Sequence, residues 1–165
     1  MNVNDTAADI KSMKIRGAGK IARAGAKALS DFADSYEGRG MQTFLSDLEK
    51  AKRTLLDSRP TAVSLWNGVH FTLRGVADAK DVGEAAALIV SNAERFIVSS
   101  ENAVKVIGEI GAKRVQDGDT ILTICNSSAA ISVMKAAHRQ NKNIRVYATE
   151  RSEEHTSELQ SHHDL

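Results

Sequence analysis

The hydrophobic period of this chain changes near residue 111, and that change limits what it can fold into more than any other feature. Before it, apolar residues recur at three- and four-residue spacings, the mark of amphipathic helices. After it, the β-prone run Thr120-Ile121-Leu122-Thr123 follows the turn signal Gly118-Asp119 and leads into the polar turn Cys125-Asn126-Ser127-Ser128. A helical stretch over 128–140 and a second strand over 144–148 complete a β-α-β order, which calls for parallel strands joined by a right-handed crossover. The expected fold class is therefore α + α/β. A helical N-terminal domain covers 1–112, and the start of a parallel α/β domain covers 113–150. The second domain reads as truncated, because a lone parallel pair leaves its faces and edges uncovered.

Within the first part, a helical pattern over 6–34 is interrupted at Arg16-Gly17-Ala18-Gly19, since glycine weakens a helix interior. Further helices are expected over 43–56, 61–73 and 82–110. Pro60 suits the first turn of the third segment. Val63, Leu65, Val69 and Phe71 are expected to face inward there, Trp66 is expected in the core, and Gly111 marks the end of the last helix.

Composition excludes more than it identifies. A formal charge of +1 gives no strong field for nucleic acid or an acidic membrane surface, and aromatic residues make up only 4% of the chain. The single cysteine forms no internal disulfide and suits a reducing, cytoplasmic compartment. No apolar run approaches a membrane span, and no signal peptide is visible. Residues 151–165 carry no period on which a helix or strand could be built. Residues 151–162 resemble a translated sequencing adapter, so 151–165 is expected to be a non-native tail. Its His162-His163 pair lacks metal-ligand spacing, and no metal site is expected. Without this segment 21 basic and 17 acidic residues remain, a formal +4.

Three places could carry chemistry. Cys125 would sit at the carboxyl end of a strand beside helix N-terminal amides, with Ser127 or Ser128 as the cap. Such amides lower a thiol pKa and can hold a phosphate or an oxyanion. A lone cysteine is nevertheless more often a small buried hydrophobe. In Arg16-Gly17-Ala18-Gly19-Lys20, glycines allow close backbone approach between two cations. Pattern alone still favours an ordinary helix junction with solvated bases. Arg59-Pro60-Thr61 reads as a helix start whose arginine fork could meet a phosphate, and again pattern alone favours the plain helix start. His70 reads as packed or superficial rather than as a base, and His138 as solvated.

Taken together and in order, Ile15 to Gly19, Ser58-Arg59-Pro60-Thr61-Ala62-Val63-Ser64-Leu65, Gly118 to Ala130, and Ile144 to Glu150 resemble the archaeal ribose 1,5-bisphosphate isomerases. These belong with the methylthioribose-1-phosphate isomerases and the alpha, beta and delta subunits of initiation factor 2B. The resemblance implies a helical domain followed by a Rossmann-like domain with a ligand cleft between them, no cofactor, a sugar bisphosphate substrate and assembly into dimers or hexamers. It implies that Arg16, Gly17, Gly19 and Arg59 line the phosphate and sugar pocket. It also implies that Cys125 is the catalytic thiol and that Asn126 and Ser127 surround the ligand. The exchange-factor subunits, which bind and regulate, generally lack that thiol; a regulatory subunit and a methylthioribose-1-phosphate isomerase are the alternatives. Two departures stand out. Ile124 replaces the histidine usual before the cysteine, and Glu150 is not followed by Thr-Arg-Pro. The family's catalytic aspartate lies beyond residue 150, and Asp117, Asp119 and Asp164 do not match it, so this chain by itself is expected to be inactive.

Overall fold

Helices form where the sequence caps them or buries one face. A computed structural model of the chain describes residues 2–124 and 127–149. Its elements are α1 (Val3–Lys11), α2 (Ala18–Asp34), α3 (Met41–Ser58), α4 (Val63–Thr72), a single 3₁₀ turn (Val76–Asp78), α5 (Val82–Ala112), β1 (Thr120–Ile124), α6 (Ser128–Arg139) and β2 (Arg145–Thr149). The chain divides into two compact units between Ser100 and Glu101, within α5.

In the first unit, α1 starts where Asn2 Oδ1 accepts the amide of Asp5 at 2.8 Å, a side-chain N-cap. Asp81 and Glu84 mark the start of α5 reciprocally: Asp81 Oδ1 accepts the Glu84 amide at 2.9 Å, and Glu84 Oε2 accepts the Lys80 amide at 2.8 Å. The core gathers Ile10, Leu29, Phe44, Leu55, Leu65, Val69 and Ile89, all fully buried. Phe32, Tyr36 and Phe44 join α2 to α3 as an aromatic cluster, with Tyr36 edge-on to Phe44 at 4.8 Å between centroids. Helices α2 and α4 approach through glycines. A Cβ on Gly68 would stand 2.8 Å from the Ala22 carbonyl oxygen, and one on Gly25 would stand 2.6 Å from Leu65 Cδ1.

The end of α4 is secured from α5. The buried amide of Asn92 donates to the carbonyls of Thr72 at 3.2 Å and Arg74 at 3.0 Å, filling acceptors that a helix C terminus leaves open.

In the second unit, β1 and β2 pair in parallel, from Thr120 opposite Arg145 to Ile124 opposite Thr149. Lys142 Nζ donates to the carbonyls of Ala112 at 2.5 Å and Val115 at 2.7 Å, so a cation caps the negative end of α5. Asp117 Oδ1 accepts the Asn143 amide at 2.7 Å, and the Gly118 amide donates to the Asn143 carbonyl at 2.8 Å. These bonds tie the two strand entries together and set the register.

The α + α/β class holds, with three local corrections. Pro60 lies in a turn before α4, which begins at Val63 rather than in the first turn. Val63 is 70% exposed and Trp66 53% exposed, so neither belongs to the core; Leu65 and Val69 face inward as expected. Gly111 sits inside α5 rather than ending it, because a Cβ there would stand 2.5 Å from Val133 Cγ2. It is a packing glycine, not a cap. Among the described residues, no helix is long and apolar enough to cross a membrane.

Asn92→Ala removes both side-chain donors at the α4 terminus and leaves two carbonyls without them. Urea unfolding should show a loss of about 1–3 kcal/mol; a loss within error would show that these bonds contribute nothing net.

Candidate functional site

The Arg16 segment forms the junction between α1 and α2. Met13 adopts φ 61°, and the Ile15 amide returns to the Asp9 carbonyl at 2.9 Å, closing the end of α1. Gly17 is the N-cap of α2 with φ 89° and ψ 132°, and it offers no side-chain cap. That backbone lies in positive-φ space that residues with a Cβ rarely occupy. The first intrahelical bond runs from the Ile21 amide to the Gly17 carbonyl at 3.0 Å. The preceding amides have no partner within the helix. Exposed Arg16 and Lys20 flank them, and the first turn contains no acidic residue. The arrangement favours an anion through both charge and N–H geometry.

Arg59 occupies a second junction. It is the half-buried C-cap of α3, and its carbonyl accepts the Ala62 amide at 3.0 Å to close the turn into α4. The start of α4 likewise has no side-chain cap and no acidic residue in its first turn. Thus the two arginine-bearing loops precede α2 and α4, the pair that meets at Gly25 and Gly68.

The third place belongs to the second unit. Cys125 and Asn126 lie outside the described residues, as do Glu150 and the tail. The described residues resume on either side of Cys125 and Asn126 in sequence. Strand β1 ends at Ile124, and Ser127 is the N-cap of α6, its Oγ accepting the Ala130 amide at 3.3 Å. Ser127, not Ser128, is therefore the cap. The connection over 125–127 joins the carboxyl end of a parallel strand to a helix N terminus, the end of an α/β layer at which ligands bind. Ile124 is 64% exposed.

Two further features escaped the sequence reading. Arg23 Nη1 donates to Ser100 Oγ on α5 at 3.1 Å; its only sequence signal is the four-residue spacing from Gly19. On α4, the His70 and Trp66 rings stack with centroids 3.8 Å apart, and His70 Nδ1 lies 2.8 Å from the Trp66 carbonyl. Neither ring pattern marks a catalytic base. A cleft of about 740 Å³ contains none of the candidate site residues; Asp34, Glu37, Asp81 and Glu94 line it with Arg39. Its charge is the wrong sign for a phosphate. Among the described residues, no three His, Cys, Asp or Glu side chains form a metal-ligand group.

The chain matches the Initiation factor 2 subunit family over residues 14–154. It is 43% identical over 148 residues to ribose 1,5-bisphosphate isomerase of Methanocaldococcus jannaschii, covering 90% of this chain and 47% of that protein. It is 44% identical over 152 residues to the Thermococcus kodakarensis protein of the same name, with the same coverage of each. The crystal structure of translation initiation factor eIF-2B subunit delta from Archaeoglobus fulgidus superposes with a TM-score of 0.71 at 32% identity, covering 90% of this chain and 46% of that one. The chain spans about half the length of the curated relatives it matches.

Gly17→Ala should destabilise the chain by about 1–3 kcal/mol, the usual strain of a side chain in sparsely populated backbone space. A Cβ there meets nothing within 4 Å, so conformation alone carries the effect. Thermal unfolding with Gly17→Ala indistinguishable from the parent would contradict it.

Proposed function

The chain belongs to the Initiation factor 2 subunit family, and from that premise we propose that the whole protein interconverts ribose 1,5-bisphosphate and ribulose 1,5-bisphosphate. The observation that carries this reading is the identity of 43–44% to curated isomerases of that name across 90% of the chain. A cysteine next after β1 in sequence and two arginine-bearing junctions are residue types that part of such a reaction needs.

Because C1 of ribose 1,5-bisphosphate carries a phosphate ester, the isomerisation breaks the C1–O4 ring bond and protonates O4, moves a hydrogen from C2 to C1, and turns the C2 hydroxyl, as it loses its proton, into the carbonyl. It needs an acid or base within reach of each carbon and compensation for charge that develops on oxygen. On this reading Arg16 and the amides beyond Gly17 hold one phosphate. Gly19 allows the ligand to approach the backbone, and Arg59 meets the substrate through its planar fork. Cys125 exchanges the hydrogen, helped by the N terminus of α6, which favours the thiolate. Asn126 and Ser127 line the turn around the ligand. The second acid or base comes from a carboxylate outside residues 1–150. Residues 1–112 then act as the binding domain and 113–150 as the opening part of the catalytic domain. The protein works in the cytoplasm as a homo-oligomer, a dimer or a hexamer, without a cofactor.

One observation favours a second reading, a regulatory subunit. Likeness to the Archaeoglobus fulgidus initiation factor structure extends over 90% of the chain at 32% identity. The thiol separates the two, because a scaffold has no use for it.

The test is conversion of ribose 1,5-bisphosphate to the ketose by the whole protein, followed as ketose formed. The expected result is turnover that Cys125→Ser lowers by about 10²–10⁴-fold, the ordinary share of one positioned acid or base. The 165-residue chain alone should show none. Turnover insensitive to Cys125→Ser would remove the thiol from the mechanism, and a whole protein without turnover would favour the regulatory reading.

A further inference from the structure

Arg23 stands one helical turn beyond Gly19 on α2 and is half-buried. Its Nη1 bonds Ser100 Oγ at 3.1 Å. The same nitrogen lies 3.1 Å from where a Cβ on Gly19 would stand. The guanidinium therefore runs back across the first turn of α2 at Gly19, in the direction in which helical side chains lean, and ends on α5.

We infer that Arg23 is a positioning residue for the anion-binding loop of residues 16–20, and that Gly19 is a glycine so that this guanidinium can pass. The inference rests on the isomerase reading and adds to it a residue that acts through the loop rather than on the substrate.

The physical need is specific. The start of α2 has no side-chain cap, no acidic residue in its first turn and a positive-φ glycine as its N-cap. Such a terminus frays, and a frayed loop must be ordered again each time it binds an anion. Arg23 supplies a tie from α2 to α5 within the first unit. It also adds a cation near a helix end already flanked by Arg16 and Lys20, where the dipole repels positive charge. A phosphate seated on the N terminus turns that unfavourable arrangement into a favourable one.

A Cβ at position 19 would force Nη1 to give way by a few tenths of an ångström, and Nη1 is the same atom that bonds Ser100. Gly19→Ala and Arg23→Met should therefore disturb the same contact. Their effects should not add.

The experiment is steady-state kinetics on the whole protein with ribose 1,5-bisphosphate, beside thermal unfolding. Arg23→Met should raise KM about tenfold, with the loss falling on KM rather than kcat, as expected when binding is weakened equally before and during the reaction. Ser100→Ala, a milder change that leaves the guanidinium charge in place, should raise KM about threefold, within the net scale of one hydrogen bond. Arg23→Lys should recover only part of the loss, because an ammonium lacks the planar fork. Gly19→Ala should raise KM in the parent and add little in the Arg23→Met background. A purely structural arginine would lower the folded, active fraction and hence kcat, leaving KM unmoved; that result would overturn the inference. So would full additivity of the two substitutions. A parent protein without turnover would remove the isomerase reading, and this role with it.

Discussion

Two missing Cβ atoms hold the first unit in its arrangement. Helices α2 and α4 come together because Gly68 leaves room for the Ala22 carbonyl and the Phe96 ring, while Gly25 receives Leu65 and Val69. At Gly68 the obstacle to any larger residue is backbone, which cannot rotate away as a side-chain end can. Interiors are packed densely enough that such a clash moves whole elements. Both arginine loops are attached directly to the N termini of these two helices. The geometry of the candidate anion site is thus inherited from a helix crossing rather than from the loops.

The positions of the helices were legible because amphipathic periodicity survives any tertiary arrangement. The break at Arg16 to Gly19, the β-α-β order and the capping role in the Cys125 turn could all be read from local chemistry. What could not be read is which apolar residues point outward. Helix α4 is apolar around most of its circumference, so its sequence does not distinguish the Leu65–Val69 face from the Val63–Trp66 face. Only packing against α2 decides that. Gly111 failed in the same way. Glycine near a helix end usually signals termination, but here Val133 occupies the space a Cβ would take, and nothing near residue 111 in sequence announces residue 133.

The second unit shows the limits of a short parallel pair. Its hydrogen bonding is well provided for, by Lys142 at the end of α5 and by Asp117 and Asp119 at the strand entries. Apolar burial is not. Leu122 and Ile124 are each 64% exposed on β1. Along β1 the residues alternate between exposed and half-buried rather than lying buried throughout. Parallel strands are rich in Val, Ile and Leu because the sheets they belong to are covered on both faces. Leu122 and Ile124 therefore have the composition of a covered strand without the cover.

The near-neutral net charge conceals a polarity that the fold creates along α2. Arg16, Lys20 and Arg23 gather at its start, and Asp31 and Asp34 lie in its last turn, beside the acidic cleft. Both placements oppose the helix dipole, which stabilises acids at the N terminus and bases at the C terminus. The Lys27–Asp31 pair at 2.6 Å relieves the distal end in part, but an exposed pair of this kind contributes little. Stability must therefore come from the faces of the helix, where Ile21, Ala22, Ala26, Ala28 and Leu29 are buried. Burial of that extent outweighs unfavourable termini, since each terminal charge acts on the scale of about 0.3–1 kcal/mol and each large buried side chain on the scale of about 1.5–3 kcal/mol. Packing in the middle of α2 thus frees its ends from serving local stability. The end that gathers cations around open amides is the end that can then be given to a phosphate.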